Sequence, residues 1–176
     1  RLDPVTGTVD SFNPNASGTV QAIRPLPNGK ILVAGSFISI GGAARNRIAR
    51  LDPTGFADSW NPDANASVLS MAVQPDGRIL AGGAFLTLAG TSRAGLGRLN
   101  PDGSIDAGFN PGANDSVFHL RIIPDGYILA GGAFTLIGGG GSGNVVRNRI
   151  AKLVPDGSVD TTYSPLSGGS IFTMVL

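Results

Sequence analysis

Arg78-Ile79-Leu80-Ala81-Gly82-Gly83-Ala84-Phe85 decides the fold of this chain. The same stretch stands at Lys30-Ile31-Leu32-Val33-Ala34-Gly35-Ser36-Phe37 and at Tyr127-Ile128-Leu129-Ala130-Gly131-Gly132-Ala133-Phe134. Adjacent strand residues point to opposite faces, so a strand with both Ile and Leu apolar is buried on both sides. Sheets must therefore pack face to face. The Gly pair marks a bulge or a close backbone approach, and the terminal Phe fills volume where neighbouring sheets diverge.

Upstream of each copy lies a turn, Pro27-Asn28-Gly29, Pro75-Asp76-Gly77 or Pro124-Asp125-Gly126, in which Pro presets one dihedral and Gly supplies positive φ. Before the turn comes a short β-prone run beginning at Val20, Val68 and Val117, with a fourth at Ile171-Phe172-Thr173-Met174-Val175-Leu176. These two runs predict a hairpin. Downstream, a Gly-rich loop leads to a third strand at Arg47-Ile48-Ala49-Arg50-Leu51, Leu96-Gly97-Arg98-Leu99 and Arg149-Ile150-Ala151-Lys152-Leu153. A turn at Pro53, Pro101 and Pro155 then leads to a short fourth segment carrying an Asp and an aromatic: Asp10 with Phe12, Asp58 with Trp60, Asp106 with Phe109, Asp160 with Tyr163.

The landmarks Arg1, Arg50, Arg98 and Lys152 are spaced by 49, 48 and 54 residues. A period near 50 with four strands per unit predicts an all-β fold: a β-propeller-like array of four-stranded antiparallel blades, about three and a half repeats in one region. The repeats run approximately over residues 1–49, 50–97, 98–151 and, in part, 152–176. Closed propellers usually have at least four blades, so the expectation is a portion of a longer array or a ring completed by a second copy.

Composition agrees. The 12 acidic residues are all Asp, and 27 Gly and 12 Pro make turns frequent and helix interiors poor. A net charge of +1 gives no field to gather nucleic acid or an anionic membrane. With no Cys, disulfides, catalytic thiolates and thiolate metal sites are excluded together. The most apolar stretch, residues 31–44, is broken by Ser and Gly, and no membrane insertion is expected.

The run Arg98-Leu99-Asn100-Pro101-Asp102-Gly103-Ser104-Ile105-Asp106, then Phe109-Asn110-Pro111-Gly112-Ala113-Asn114, Pro124-Asp125-Gly126 and residues 128–134 resembles the delta-60 repeat, a presumed β-propeller unit of bacterial secreted and cell-surface proteins. The resemblance covers essentially the whole chain. It implies an exported, extracellular or cell-surface, non-catalytic protein that bears interactions, and it supplies no catalytic residues.

Several residues invite a functional reading beside a structural one. The aromatics Phe12, Trp60, Phe109 and Tyr163 fit either a carbohydrate-stacking row or a plug between blades, the commoner fate of large aromatics. The only histidine, His119, stands on the first strand, nearest the channel of a propeller; its strand neighbours offer neither a metal set nor a triad with Asp115 or Ser116. Turn capping accounts for Asp76, Asp102, Asp125 and Asp156, and a structural calcium is the one cofactor the aspartates leave open. Two basic rows, Arg1, Arg50, Arg98 and Lys152, and Arg45, Arg93 and Arg147, fit internal ion pairs or carbonyl caps better than an acidic glycan site. Asn15, Asn65 and Asn114 begin Asn-x-Ser sequons in loops read as equivalent, and the loop over residues 138–145 is longer than its counterparts.

The expectation from sequence is a non-enzymatic scaffold or interaction segment of an exported bacterial cell-surface protein, with protein or glycan partners and self-association through open blade edges. The alternative is a lectin-like carbohydrate-binding module using the loop aromatics.

Overall fold

A computed structural model describes residues 1–140, 144–165 and 167–174. The chain forms strands β1 (Val20–Pro25), β2 (Ile31–Gly35), β3 (Ser39–Ile40), β4 (Ala43–Ala44) and β5 (Ile48–Leu51) in the first blade. The second holds β6 (Val68–Val73), β7 (Ile79–Gly83), β8 (Thr87–Leu88), β9 (Thr91–Ser92) and β10 (Leu96–Leu99). The third holds β11 (Val117–Ile122), β12 (Ile128–Gly132), β13 (Leu136–Ile137), β14 (Val145–Val146) and β15 (Ile150–Leu153).

Each blade is an antiparallel sheet with the repeating stretch at its centre: β1-β2-β5, β6-β7-β10 and β11-β12-β15. The fourth segment joins by a single antiparallel bridge per unit, Leu51 to Ala57, Leu99 to Ile105 and Leu153 to Val159. The ladder stops there because the segment is short and soon meets a Pro, which cannot donate to it. The loop between second and third strands carries a small ribbon of its own, β3-β4, β8-β9 or β13-β14.

The glycine pair works as the sequence suggested. Opposite Gly35, Gly83 and Gly132 the register shifts, between Val20 and Ala22, Val68 and Ser70, and Val117 and His119. A Cβ on Gly83 would lie 2.2 Å from the Ser67 carbonyl oxygen, so only a residue without a side chain permits this bulge. Phe37, Phe85 and Phe134 are fully buried at the ends of these strands.

Burial on both faces follows the alternation. Leu32, Ala34 and Ile48 of the first blade pack against Val68, Met71, Ile79 and Ala81 of the second. Leu80 and Leu96 pack in turn against Val117, Leu120, Ile128 and Ala130 of the third. Each Val, Leu, Ile or Met among them contributes roughly 1.5–3 kcal/mol when removed from water, so the blades hold one another together.

The last apolar run differs from expectation. Residues 171–174 form no β-ladder, and Val175 and Leu176 lie outside the described residues. The run still takes the place of a first strand: a Cβ on Gly131 would meet Ile171 and Met174 as one on Gly82 would meet Val117 and Leu120. Ile171 N–H donates to the Gly132 carbonyl at 3.2 Å.

Candidate functional site

The repeating polar residues form a clip between successive units. Arg98 Nε donates to Asp106 Oδ2 at 2.8 Å, and Arg98 Nη1 to the carbonyl of Pro155 in the next unit at 2.6 Å. Its guanidinium lies 4.3 Å from the Phe109 ring centroid. Arg50 repeats this with Asp58 at 2.7 Å, Pro101 at 3.2 Å and Trp60 at 5.6 Å. Arg1 does so with Asp10, Pro53 and Phe12. A planar fork can hold a carboxylate, a carbonyl and a ring face at once, which an ammonium cannot. At the fourth position Lys152 pairs with Asp160 at 3.0 Å, and its ammonium lies 3.9 Å from the Tyr127 ring centroid.

The aromatic of each clip plugs onto the turn of the following unit. Added Cβ atoms on Gly55, Gly103 and Gly157 would fall 3.3 Å from Phe12, 2.8 Å from Trp60 and 2.8 Å from Phe109. Trp60 and Phe109 are 2% and 0% exposed, packed between units with no ring face open to a sugar. Phe12 and Tyr163 are half-buried.

The second basic row is also internal. Arg93 Nη1 and Nη2 donate to the carbonyls of Ser92 at 2.8 Å and Asp106 at 3.2 Å, and Arg147 repeats the pattern on Val146 and Asp160. Burial raises the Asp58 and Asp106 carboxyls, but bonds from Lys30 and Arg50 to the former and from Arg98 and Arg78 to the latter outweigh it, and both end below the ordinary range. Asp160 is lowered to about 2 by bonds from the Thr162 hydroxyl and Lys152. In the turns, the carboxylates of Asp76, Asp102 and Asp156 accept bonds from the N–H groups of Arg78, Ser104 and Ser158, the capping role read from sequence, and Asp52 does the same for Thr54; Asp125, read as a cap too, instead takes the positive φ of its turn, 65°.

The sequons are not all equivalent. Asn65 and Asn114 accept two backbone N–H bonds each, from Leu86 and Thr87 and from Thr135 and Leu136. In the first unit Ser17 Oγ takes that role, bonding Ile38 and Ser39 N–H. Asn15 instead shares positive φ, 50°, with Asp63 and Gly112, so its sequon sits two residues earlier. In the longer third loop the Gly140 carbonyl accepts a bond from Asn110 Nδ2 at 2.8 Å, while residues 141–143 lie outside the described residues.

A cleft of about 480 Å³ runs along the neighbouring first strands β1, β6 and β11. Its walls come from the positions where the units differ: Gln21, Leu69 and Phe118 in one column, Ala22, Ser70 and His119 in the next. Phe172 closes one end, its ring parallel to Phe118 with centroids 5.0 Å apart. Arg24 closes the other, Nε donating to the Met71 carbonyl at 3.0 Å and Nη1 to its neighbour Ile23 at 2.9 Å. Burial, then the charges of Arg24 and Arg121, push the His119 imidazole below its ordinary value. Of the residues singled out from sequence, only His119 lies in this cleft; Phe118, Phe172 and Arg24 were missed. Phe118 and Phe172 share one first-strand column with Gln21 and Leu69, and Arg24 shares another with Ala72 and Arg121; the exchanges within these columns were their signal.

Face-to-face antiparallel sheets, a repeating clip between units and a cleft along the first strands define a β-propeller-type repeat domain. The chain belongs to the family described as a beta-propeller domain of unknown function (DUF5122), whose model matches residues 26–59, 74–109 and 123–163. Each match runs from the hairpin turn through the second and third strands into the fourth segment; the second and third end on the aromatics Phe109 and Tyr163, and the first ends at Ser59, one residue before Trp60. No curated protein matches the chain.

Proposed function

We propose that this chain is a non-enzymatic interaction scaffold of an exported bacterial cell-surface protein, with a protein or glycan partner. One observation carries the reading: the repeating Arg, Asp and aromatic side chains are consumed in holding blade to blade, while the residues that vary between blades gather in one open cleft. In repeat architectures, symmetry-breaking positions on a common face are where binding is placed. The likeness of the turn and strand motifs to the delta-60 repeat supports export and a surface role.

A lectin-like reading is favoured by Phe172, which is 71% exposed and stacked on Phe118, an aromatic surface that the plugged loop ring of Trp60 cannot offer. The test is to screen the folded chain against glycan and extracellular-protein arrays and to follow each bound ligand for turnover. Binding without conversion is expected. Conversion of a bound ligand would overturn the non-enzymatic reading, and a folded chain that binds nothing would overturn the scaffold.

A further inference from the structure

We infer that the first-strand cleft is a binding site for a short acidic oligosaccharide, one pyranose of which lies with its apolar face on Phe172 while a carboxylate of the same chain of sugars meets Arg24. The inference rests on the proposed scaffold role and assigns its site and ligand class.

The aromatic end is suited to a ring. Phe172 is 71% exposed and backed by the parallel ring of Phe118, at an interplanar angle of 4°. A large exposed apolar side chain costs solvation unless something covers it, and a backed ring is a flat platform whose electron-rich face attracts the C–H edges of a sugar. The cleft's 480 Å³ lies within the range of small-ligand sites.

The opposite end supplies charge and direction. Two backbone carbonyls hold the Arg24 guanidinium by Nε and Nη1, so its plane is set before any ligand arrives and Nη2 is uncommitted among the described residues. Preorganised guanidinium donors suit a carboxylate. The lining includes no Asp to neutralise this charge, whereas Arg1, Arg50 and Arg98 each have an Asp in contact. Arg24 thus shares with Arg50 and Arg98 a bond to a carbonyl of the next unit but differs from them in having no Asp in contact among the described residues.

The middle of the cleft offers hydroxyl partners. Ser70 Oγ accepts the Leu120 N–H at 3.0 Å and keeps its own proton to donate, and His119 and Gln21 add donors and acceptors. With the imidazole held toward its neutral form, recognition of the anion falls to Arg24.

The experiment is calorimetric titration of the folded chain with a glucuronic acid-containing tetrasaccharide and with its carboxyl-reduced, neutral counterpart, at low and raised salt. The acidic sugar is expected to bind at least about tenfold tighter than the neutral one, with the gap closing as salt rises. Phe172→Ala, which removes an exposed ring and leaves the core intact, should weaken both by about tenfold or more. Arg24→Gln should bring the acidic sugar down to the neutral level, and Arg24→Lys should restore part of the gap; circular dichroism on each variant checks that the fold persists. Equal affinity for the two sugars, or unchanged binding by Phe172→Ala, would overturn the assignment. If neither sugar binds but another partner from the arrays does, the cleft assignment falls and the scaffold role stands.

Discussion

Arg98 lies with its guanidinium 4.3 Å from the centroid of Phe109 while its Nη1 reaches the Pro155 carbonyl of the next unit. One side chain thereby joins a strand, its own turn and the following blade. Because the Arg98 side chain is only 7% exposed and Asp106 keeps a second partner in Arg78, Arg98→Ala should cost about 2–3 kcal/mol. Arg98→Lys should recover the ion pair but not the carbonyl bond or the stacking, and fall between. Arg1→Ala, at a position 54% exposed, should cost at most about 1 kcal/mol. Urea titrations of the three variants measure this order; equal losses at Arg1 and Arg98 would show that the clip adds nothing to the packing.

Gly83→Ala should destabilise far more than Gly90→Ala, although Gly90 has the positive φ. At Gly90, φ is 71° and an added Cβ meets nothing within 4 Å, so the loss is the left-handed backbone term of about 1–2 kcal/mol. At Gly83 the Cβ would collide with the Ser67 carbonyl, and relief requires breaking the bulge, a loss of about 3 kcal/mol or more. Melting temperatures of the two variants decide the matter, and the reverse order would mean that the bulge can relax.

The hairpins, the doubly buried second strand and the plugging aromatics were legible because apolar alternation and turn chemistry are written in side chains. The fourth strand was over-read: Asp58 and Trp60 mark a turn clipped to the next unit, and a single Leu51–Ala57 bridge is all the ladder that forms. The reach of Arg50 to the Pro101 carbonyl was hidden, since a backbone acceptor leaves no mark in sequence. The sequons misled because Asn15-Ala16-Ser17 and Asn65-Ala66-Ser67 match as strings, while the loop conformation aligns Asn65 with Ser17. The cleft was half-legible: His119 stood out as a rare residue type, but Phe118 and Phe172 read as ordinary strand apolars until the fold placed them side by side.

The first blade presents an apolar face that its siblings cover. Val20 and Ile23 are 37% and 55% exposed, whereas Val68 and Met71, at the same positions, are fully buried against the preceding blade. With Phe12 and Ile31 they line a recess of about 300 Å³. Ile23→Ala should therefore cost less than about 1 kcal/mol, and Met71→Ala about 2–5 kcal/mol. A second copy that added a blade would have to cover this face, so any self-association seen by light scattering should weaken with Ile23→Ser. Unchanged association in that variant would direct attention back to the strand edges.

Stability should fall on acidification in two stages. His119 is held below its ordinary value of 6.5 by burial and by Arg24 and Arg121, so the unfolded chain takes up that proton first. Its contribution is complete above about pH 6.5 and is lost as pH falls through the lowered folded-state value. Asp58, Asp106 and Asp160 follow the same sign at lower pH: each is depressed in the folded chain, so stability is complete above the unfolded carboxylate range near pH 4 and is lost below it. For Asp160 the loss continues down to about 2, where the folded carboxylate itself protonates. Urea midpoints from about pH 7.5 to 3 should show a shallow slope beginning near 6.5 and a steeper one below about 4. His119→Gln should erase the first slope and keep the second, while Asp160→Asn should lower the plateau and flatten the second. A wild-type midpoint that stays level from about pH 7 to 5 would mean that His119 is as easily protonated in the folded chain as in the unfolded one, and that the cleft does not disfavour its charge.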